Sequence, residues 1–474
     1  MRSVNSLLTL VLLLSSNLRL VSQPAPAPAA IPETPAGQVL GKWLAAFNSG
    51  DRDQLTAFVT TYNPRRLKNI DDEMDFRRQT GGFNLVKIET SSELEIAAIV
   101  KERGGDNFAR LSMKVGESAP HLIENLSLRV TDPPAGASSI QRLPDPEAAA
   151  AWKQQFAALA ADGKFAGAYL WARNNSIIAS GAEGLADREK NIPNTLETQF
   201  RIGSMNKMFT SVAALQLVAQ GKLALDTPIA KYLPDYPNKE LASKVTLRHL
   251  LTHTGGTGDF FGPEFDQHRL ELRTLKDYVH LFGARALKFE PGSQWEYSNY
   301  GFLLVGVLIE AVSGESYYDY VRKHIFAPAG MSGTDSLPEI EPVAHRAAGY
   351  MQEKGEWRPN ADTLPWRGTS AGGGYSTVGD LLKFAYALLD HKLLSAELLD
   401  QATTAQKGTP GYGFGFGVDG DPVKSFGHSG GAPGMNGGLR IYPQSRTVIV
   451  VLSNLDPPAA TKPLEWLERR LTTN

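Results

Sequence analysis

No cysteine occurs anywhere in the chain. Disulfides, a thiolate nucleophile and cysteine-ligated zinc are excluded, as is a lipid-bearing cysteine behind the N-terminal apolar run, while the redox compartment stays open. An excess of charge is missing too: 48 Lys and Arg stand against 50 Asp and Glu, a net −2. Nothing in that balance points to nucleic acid, whose binding needs clustered basic surface. Nor does any segment reach the roughly 18 apolar residues of a membrane-spanning helix. Histidine is scarce, nine in all, and none follows His428.

What is present is ordinary globular material: 474 residues, 42% hydrophobic and 21% charged, enough for two or three domains. Arg2 precedes an apolar run at residues 7–14 and then "SSN", the pattern of a secretory signal, which we expect over residues 1–23. The expected location is periplasmic or extracellular. A Pro/Ala-rich linker over 24–36 leads to a small α+β domain at 37–130. There Val39, Leu40, Trp43, Leu44 and Phe47 share a helical face, and Ala109, Leu111, Met113 and Val115 alternate as a strand should. The stretch "WLAAFNSGDRDQLTAFV" resembles the nuclear-transport-factor-like α+β cone.

A second linker, 131–148, precedes a denser region at 149–474. "AYLWARNNSIIASG" reads as a hairpin turning at Asn174 and Asn175, residues that tolerate positive φ. "GGLRIYPQSRTVIVVLSN" reads as another hairpin, and an amphipathic helix, "PLEWLERRL", follows it. Strands at both ends of the region, with helical segments between, predict one sheet built from the two ends.

Three constellations carry chemistry. "GHSGG" at 427–431 matches the nucleophile elbow G-x-S-x-G, which would make Ser429 the nucleophile. An elbow needs a helix and then an acid and a histidine after the serine. "GAPGMNGG" opposes a helix, and no histidine follows, so Ser429 is a poor nucleophile. Ser204 and Lys207 fit better. Three residues apart at a helix start they share a face, and a buried lysine loses its charge and can take the serine's proton. The plainer alternative is a capping serine with a solvated lysine. Tyr297-Ser298-Asn299 lies just before an apolar helix from Phe302 to Val312. A tyrosine can shuttle a proton and an asparagine amide can hold both lysine and substrate. Tyr236-Pro237-Asn238 shows that the same spacing arises without function.

Ser204-x-x-Lys207, Tyr297-x-Asn299 and His428-x-Gly430, in that order, resemble the three motifs of the serine β-lactamase and penicillin-binding-protein superfamily. "VTLRHLLTHTGG", "FAPAGMSGT" and "SAGGGYSTVGDLLKF" extend the likeness, which is nearest to class C β-lactamases, D-alanyl-D-alanine carboxypeptidases and esterases. The resemblance implies an α/β fold of the β-lactamase/transpeptidase type: an antiparallel sheet flanked by helices, plus an all-helical region, here preceded by the small α+β domain.

The same resemblance implies an acyl-enzyme on Ser204, with Lys207 and Tyr297 as the proton-transfer pair and either one the base. It gives Asn299, His428, Ser429 and Gly430 to substrate positioning, and the backbone N–H groups of Ser204 and Gly431 to the oxyanion hole. It calls for no metal or cofactor. His253 falls in a loop of the helical region, and His249-x-x-x-His253 lacks the glutamate of a zinc motif. Where β-lactamases usually carry Lys-Thr-Gly, this chain has His428-Ser429-Gly430, a weaker anchor for a carboxylate. The implied activity is an esterase or D-amino-acid peptidase or carboxypeptidase acting on small ester, peptide or β-lactam-like substrates. A β-lactamase, or a penicillin-binding, peptidoglycan-sensing protein with little turnover, is the alternative. The N-terminal domain is then a contact module for protein or cell wall.

Overall fold

The computed structural model describes residues 30–134, 140–353, 356–420 and 423–471. The expected signal at 1–23 lies outside them. The chain divides into two compact units, residues 1–137 and 138–474.

The first unit opens with α1 (Pro35–Ser49), whose start is written in two residues. The Thr34 hydroxyl accepts the Gly37 N–H at 3.2 Å, and Pro35 occupies the first turn, where its missing N–H costs nothing. The expected linker to residue 36 therefore ends too late. Helices α2 (Arg52–Tyr62) and α3 (Ile70–Thr80) follow, then an antiparallel meander of β1 (Phe83–Ser91), β2 (Glu95–Glu102), β3 (Phe108–Val115) and β4 (Ile123–Thr131). The predicted faces are the core. Val39, Leu40, Trp43, Leu44 and Phe47 bury against Leu111, Met113 and Val115. Trp43, Phe47 and Phe83 stack at 5.1 to 6.1 Å between centroids.

In the second unit the chain is docked before residue 149. The Leu143 N–H donates to the Arg470 carbonyl at 2.8 Å, and α4 (Asp145–Ala161) is already helix. Strands β5 (Gly167–Arg173) and β6 (Ser176–Glu183) form the predicted hairpin, with Asn174 and Asn175 at φ 49 and 65. Between them and the last strands lies the helical region. Its principal helices are α5 (Asn206–Ala219), α6 (Asn299–Ser313) and α7 (Val378–Leu389). The chain then returns as β7 (Gly417–Asp419), β8 (Ser425–Ala432), β9 (Met435–Tyr442) and β10 (Thr447–Ser453), and ends in α8 (Thr461–Glu468).

All these strands pair antiparallel in the order β7-β8-β9-β10-β5-β6. The sheet does come from both ends of the unit. Its central strands are covered on both faces, which is why "AYLWAR" and "TVIVVLS" read as unbroken apolar runs. Ala168, Leu170, Val448 and Val450 face α5 and α7, while Tyr169, Trp171, Ile449 and Val451 face α4 and α8.

Trp152 locks the second face. Its indole N–H donates to the Pro463 carbonyl at 2.8 Å, and its ring meets Phe156 and Tyr169 edge-on, each at 5.0 Å. Trp152→Ala should cost about 3–5 kcal/mol in urea unfolding. A loss under ~1 kcal/mol would mean that α4 is not anchored there.

Candidate active site

Helix α5 is central rather than amphipathic. Beside the apolar residues Met208, Phe209, Val212 and Leu215, its polar residues Asn206, Lys207, Thr210 and Ser211 are buried as well. Buried polar groups need partners, and the segment 369–371 supplies a row of carbonyls. The Asn206 amide donates to Thr369 O at 2.8 Å, the Thr210 hydroxyl to Ser370 O at 2.7 Å, and Lys207 Nζ to Ala371 O. Ser204 lies one turn ahead, in the 3₁₀ turn Gly203–Met205, with Gly203 at φ 52.

Lys207 is fully buried, 0% exposed. Its Nζ lies 3.2 Å from Ser204 Oγ and 2.8 Å from Asn299 Oδ1, with Ala371 O as the third neighbour. Desolvation pushes its pKa down to about 7, against the opposing pull of the Asp259 carboxylate. That carboxylate acts at one remove: Asp259 Oδ2 accepts the Asn299 Nδ2–H at 2.7 Å, which turns Oδ1 of the amide toward the lysine. Two of the three neighbours are carbonyl oxygens that can only accept. In the neutral amine both N–H bonds go to them, and the lone pair faces the Ser204 hydroxyl.

Asn299 opens α6 rather than preceding it, since the N-cap is Ser298, whose hydroxyl accepts the Gly301 N–H at 2.8 Å. Two residues earlier, Tyr297 hydrogen-bonds Ser204, and burial pushes its phenol up to about 12. Lys207 Nζ sits 4.8 Å from the centre of its ring.

His253 belongs to this wall, although it lies outside the third motif. Its ring is 4.2 Å from that of Tyr297 and 4.8 Å from that of Tyr412, and its Nδ1 accepts the Ser298 N–H at 3.1 Å. Burial holds its pKa well below the ordinary histidine value. His249 instead closes a capping box with Thr246.

Strand β8 forms the facing wall and comes against the nucleophile's turn backbone to backbone. A Cβ on Gly430 would lie 1.9 Å from the Ile202 carbonyl oxygen and 3.1 Å from Ser204 N, so only glycine fits. Ser429 sits exposed in mid-strand, not at a strand–helix elbow.

His428 departs from the expected anchor. Nδ1 is engaged by the Ser429 carbonyl oxygen and so carries the proton, leaving Nε2 to accept the Tyr412 hydroxyl at 2.9 Å. Desolvation, reinforced by Lys207, pushes its pKa down to about 3. The ring is neutral and both nitrogens are taken, so it offers no cation to a carboxylate.

The structure thus gathers Ser204, Lys207, Tyr297, Asn299, His428, Gly430 and Gly431. It adds Asp259, Ala371 and Tyr412, which sequence reasoning did not single out, and His253, which it had set aside in a loop of the helical region.

The family described as Beta-lactamase matches residues 152–474. The chain is 30% identical over 325 residues to penicillin-binding protein 4 of Amycolatopsis lactamdurans, covering 64% of this chain and 84% of that one. It is 31% identical over 290 residues to esterase EstB of Burkholderia gladioli, covering 52% and 72%. A solved D-stereospecific amidohydrolase from Streptomyces sp. superposes with a TM-score of 0.58 at 27% identity, over 69% of this chain and 99% of the other. The chain belongs to the β-lactamase family. It is a serine hydrolase of the β-lactamase and penicillin-binding-protein type.

Two outcomes follow from the electrostatics. Acylation, read as kcat/KM, should rise with pH through a midpoint near 7 as Lys207 loses its proton. Asp259→Asn removes a charge that favours the protonated amine, so the midpoint should move to lower pH. An unchanged or alkaline-shifted midpoint contradicts the assignment. Because His428 does not titrate between pH 5 and 8 on this geometry, the preference between carboxylate-bearing and neutral acyl donors should stay flat there. A preference for anionic donors that grows as pH falls through 6 would restore a cationic His428.

Proposed function

We propose that this protein is an exported esterase or D-amino-acid amidase or peptidase, working through an acyl-enzyme on Ser204 and favouring acyl donors without a carboxylate. The observation that carries the reading is Lys207 Nζ at 3.2 Å from Ser204 Oγ with two carbonyl oxygens as its other partners, an arrangement that leaves the neutral amine's lone pair for the serine. Lys207 is then the base that takes the Ser204 proton as Oγ attacks the ester or amide carbonyl. Tyr297, whose phenol is pushed up to about 12, passes its proton to the leaving group and is reprotonated by the one Lys207 took from Ser204, so both residues end the acylation as they began. The N–H groups of Ser204 and Gly431 receive the oxyanion, each donor worth on the order of ~3 kcal/mol of barrier. Water then releases the acyl group.

The neutral His428 and the likeness to an esterase and a D-stereospecific amidohydrolase support this substrate class over β-lactams. Export rests on the leader-like start, Arg2 followed by the apolar run at 7–14. The likeness to a penicillin-binding protein supports a second reading, acylation with little turnover.

Labelling by a serine-directed phosphonate separates the nucleophiles: Ser204→Ala should abolish it and Ser429→Ala should leave it intact. Labelling that survives without Ser204 overturns the proposal. With a chromogenic ester, continued turnover after the burst supports the hydrolase, and a stoichiometric burst with no steady state supports the acyl trap.

A further inference from the structure

The amide proposed to meet the oxyanion lies in a strand with almost no side chains to hold it. From Gly427 to Gly438 the β8–β9 hairpin carries six glycines, and glycine loses more backbone freedom on ordering than any other residue. Yet the Gly431 N–H must be aimed to within a fraction of an ångström to serve an oxyanion.

Asn436 stands opposite Gly431 across the hairpin and is 3% exposed. Its Nδ2 donates to the Gly430 carbonyl oxygen at 2.9 Å. Its Oδ1 accepts two backbone N–H groups at the start of α8, Ala460 at 2.7 Å and Thr461 at 3.1 Å. The side chain is a strut from the end of a helix to one peptide group of β8. That peptide, Gly430–Gly431, is planar and trans, so its C=O and N–H point in opposite directions. Pulling the Gly430 oxygen toward Asn436 turns the Gly431 N–H the other way. On that other side lies the nucleophile's turn: a Cβ on Gly203 would sit 3.2 Å from Gly431 N, and one on Gly430 would sit 3.1 Å from Ser204 N.

We infer that Asn436 is a positioning residue that aims the Gly431 N–H at the acyl carbonyl on Ser204. The role needs a donor and an acceptor on one short side chain, which an amide has. A carboxylate lacks the donor. The inference rests on the proposed acylation of Ser204, and the test separates the two.

Asn436→Asp keeps the size and both acceptor bonds to α8, and its ionised carboxylate replaces the bond to Gly430 with repulsion between two oxygens. The wild type and this variant are acylated with a p-nitrophenyl ester carrying ¹³C at the carbonyl. The acyl stretch is then read by infrared difference spectroscopy, beside kcat and KM. The expected result is a stretch at higher wavenumber, from a more weakly hydrogen-bonded carbonyl, with kcat down at least ~10-fold and KM within about twofold. Full loss of one donor costs roughly 10²–10³ in kcat. A variant with the wild-type stretch and kcat overturns the inference, and an acyl adduct absent from Ser204→Ala shows that the nucleophile reading still stands. A wild type that carries no adduct on Ser204 overturns both. If circular dichroism shows that Asn436→Asp does not fold, Asn436→Ala is read in the same way: an upward shift supports the strut, and an unchanged stretch in the folded protein removes it.

Discussion

Burying the Lys207 amine strips it of water, and no carboxylate in contact gives that hydration back. Its three neighbours are a hydroxyl and two carbonyl oxygens, all uncharged. Had Asp259 touched the amine directly, the pair would have stayed ionised and the lysine could not act as a base. The Asn299 amide keeps the two apart and still orients both, donating to one and accepting from the other. The central position of α5 follows from the same need. A helix with a solvated face could not desolvate this side chain, and one buried all round must satisfy Asn206, Thr210 and Ser211 as well. The carbonyl row at 369–371 satisfies Asn206 and Thr210, and the Phe414 carbonyl takes the Ser211 hydroxyl.

The rest of the pocket obeys the same rule. Tyr297 and Tyr412 are held protonated by burial, and His253 and His428 are held neutral. A lining of uncharged groups around Lys207 and the Asp259–Asn299 pair gives little to an ionic substrate in its ground state. It interacts most strongly when charge develops, because fixed dipoles there are not shielded by water. The same histidine that weakens a carboxylate anchor therefore spares the pocket a competing positive charge beside the lysine.

Much of this was legible in the residues. The order of the three motifs, the hairpins at Asn174 and at 443–446, and the apolar stripe of α1 all register as local patterns. Asp259, Ala371 and Tyr412 do not. Ala371 acts through its carbonyl, which no side chain announces. Asp259 and Tyr412 lie in glycine-punctuated loops without periodicity, and they reach the site only when distant segments meet. The neutral state of His428 was equally hidden, because it depends on burial and on Lys207, more than two hundred residues away in sequence. The early start of the second unit was missed for a different reason. Pro and Ala in "LPDPEAAA" suit a linker, but they suit a helix's first turns just as well.

The pairing of β5 with β10 has a consequence in time. Arg173 and Thr447, partners at one end of that ladder, are 274 residues apart. As the chain emerges from the ribosome, the serine and lysine appear more than two hundred residues before the strand that faces them. Until that last segment arrives β5 has no neighbour on one side and the nucleophile has no opposing wall. A chain that ends before this segment lacks the Gly431 N–H and the wall opposite Ser204. Closing so long a loop is also entropically costly and slow, so the site is assembled late.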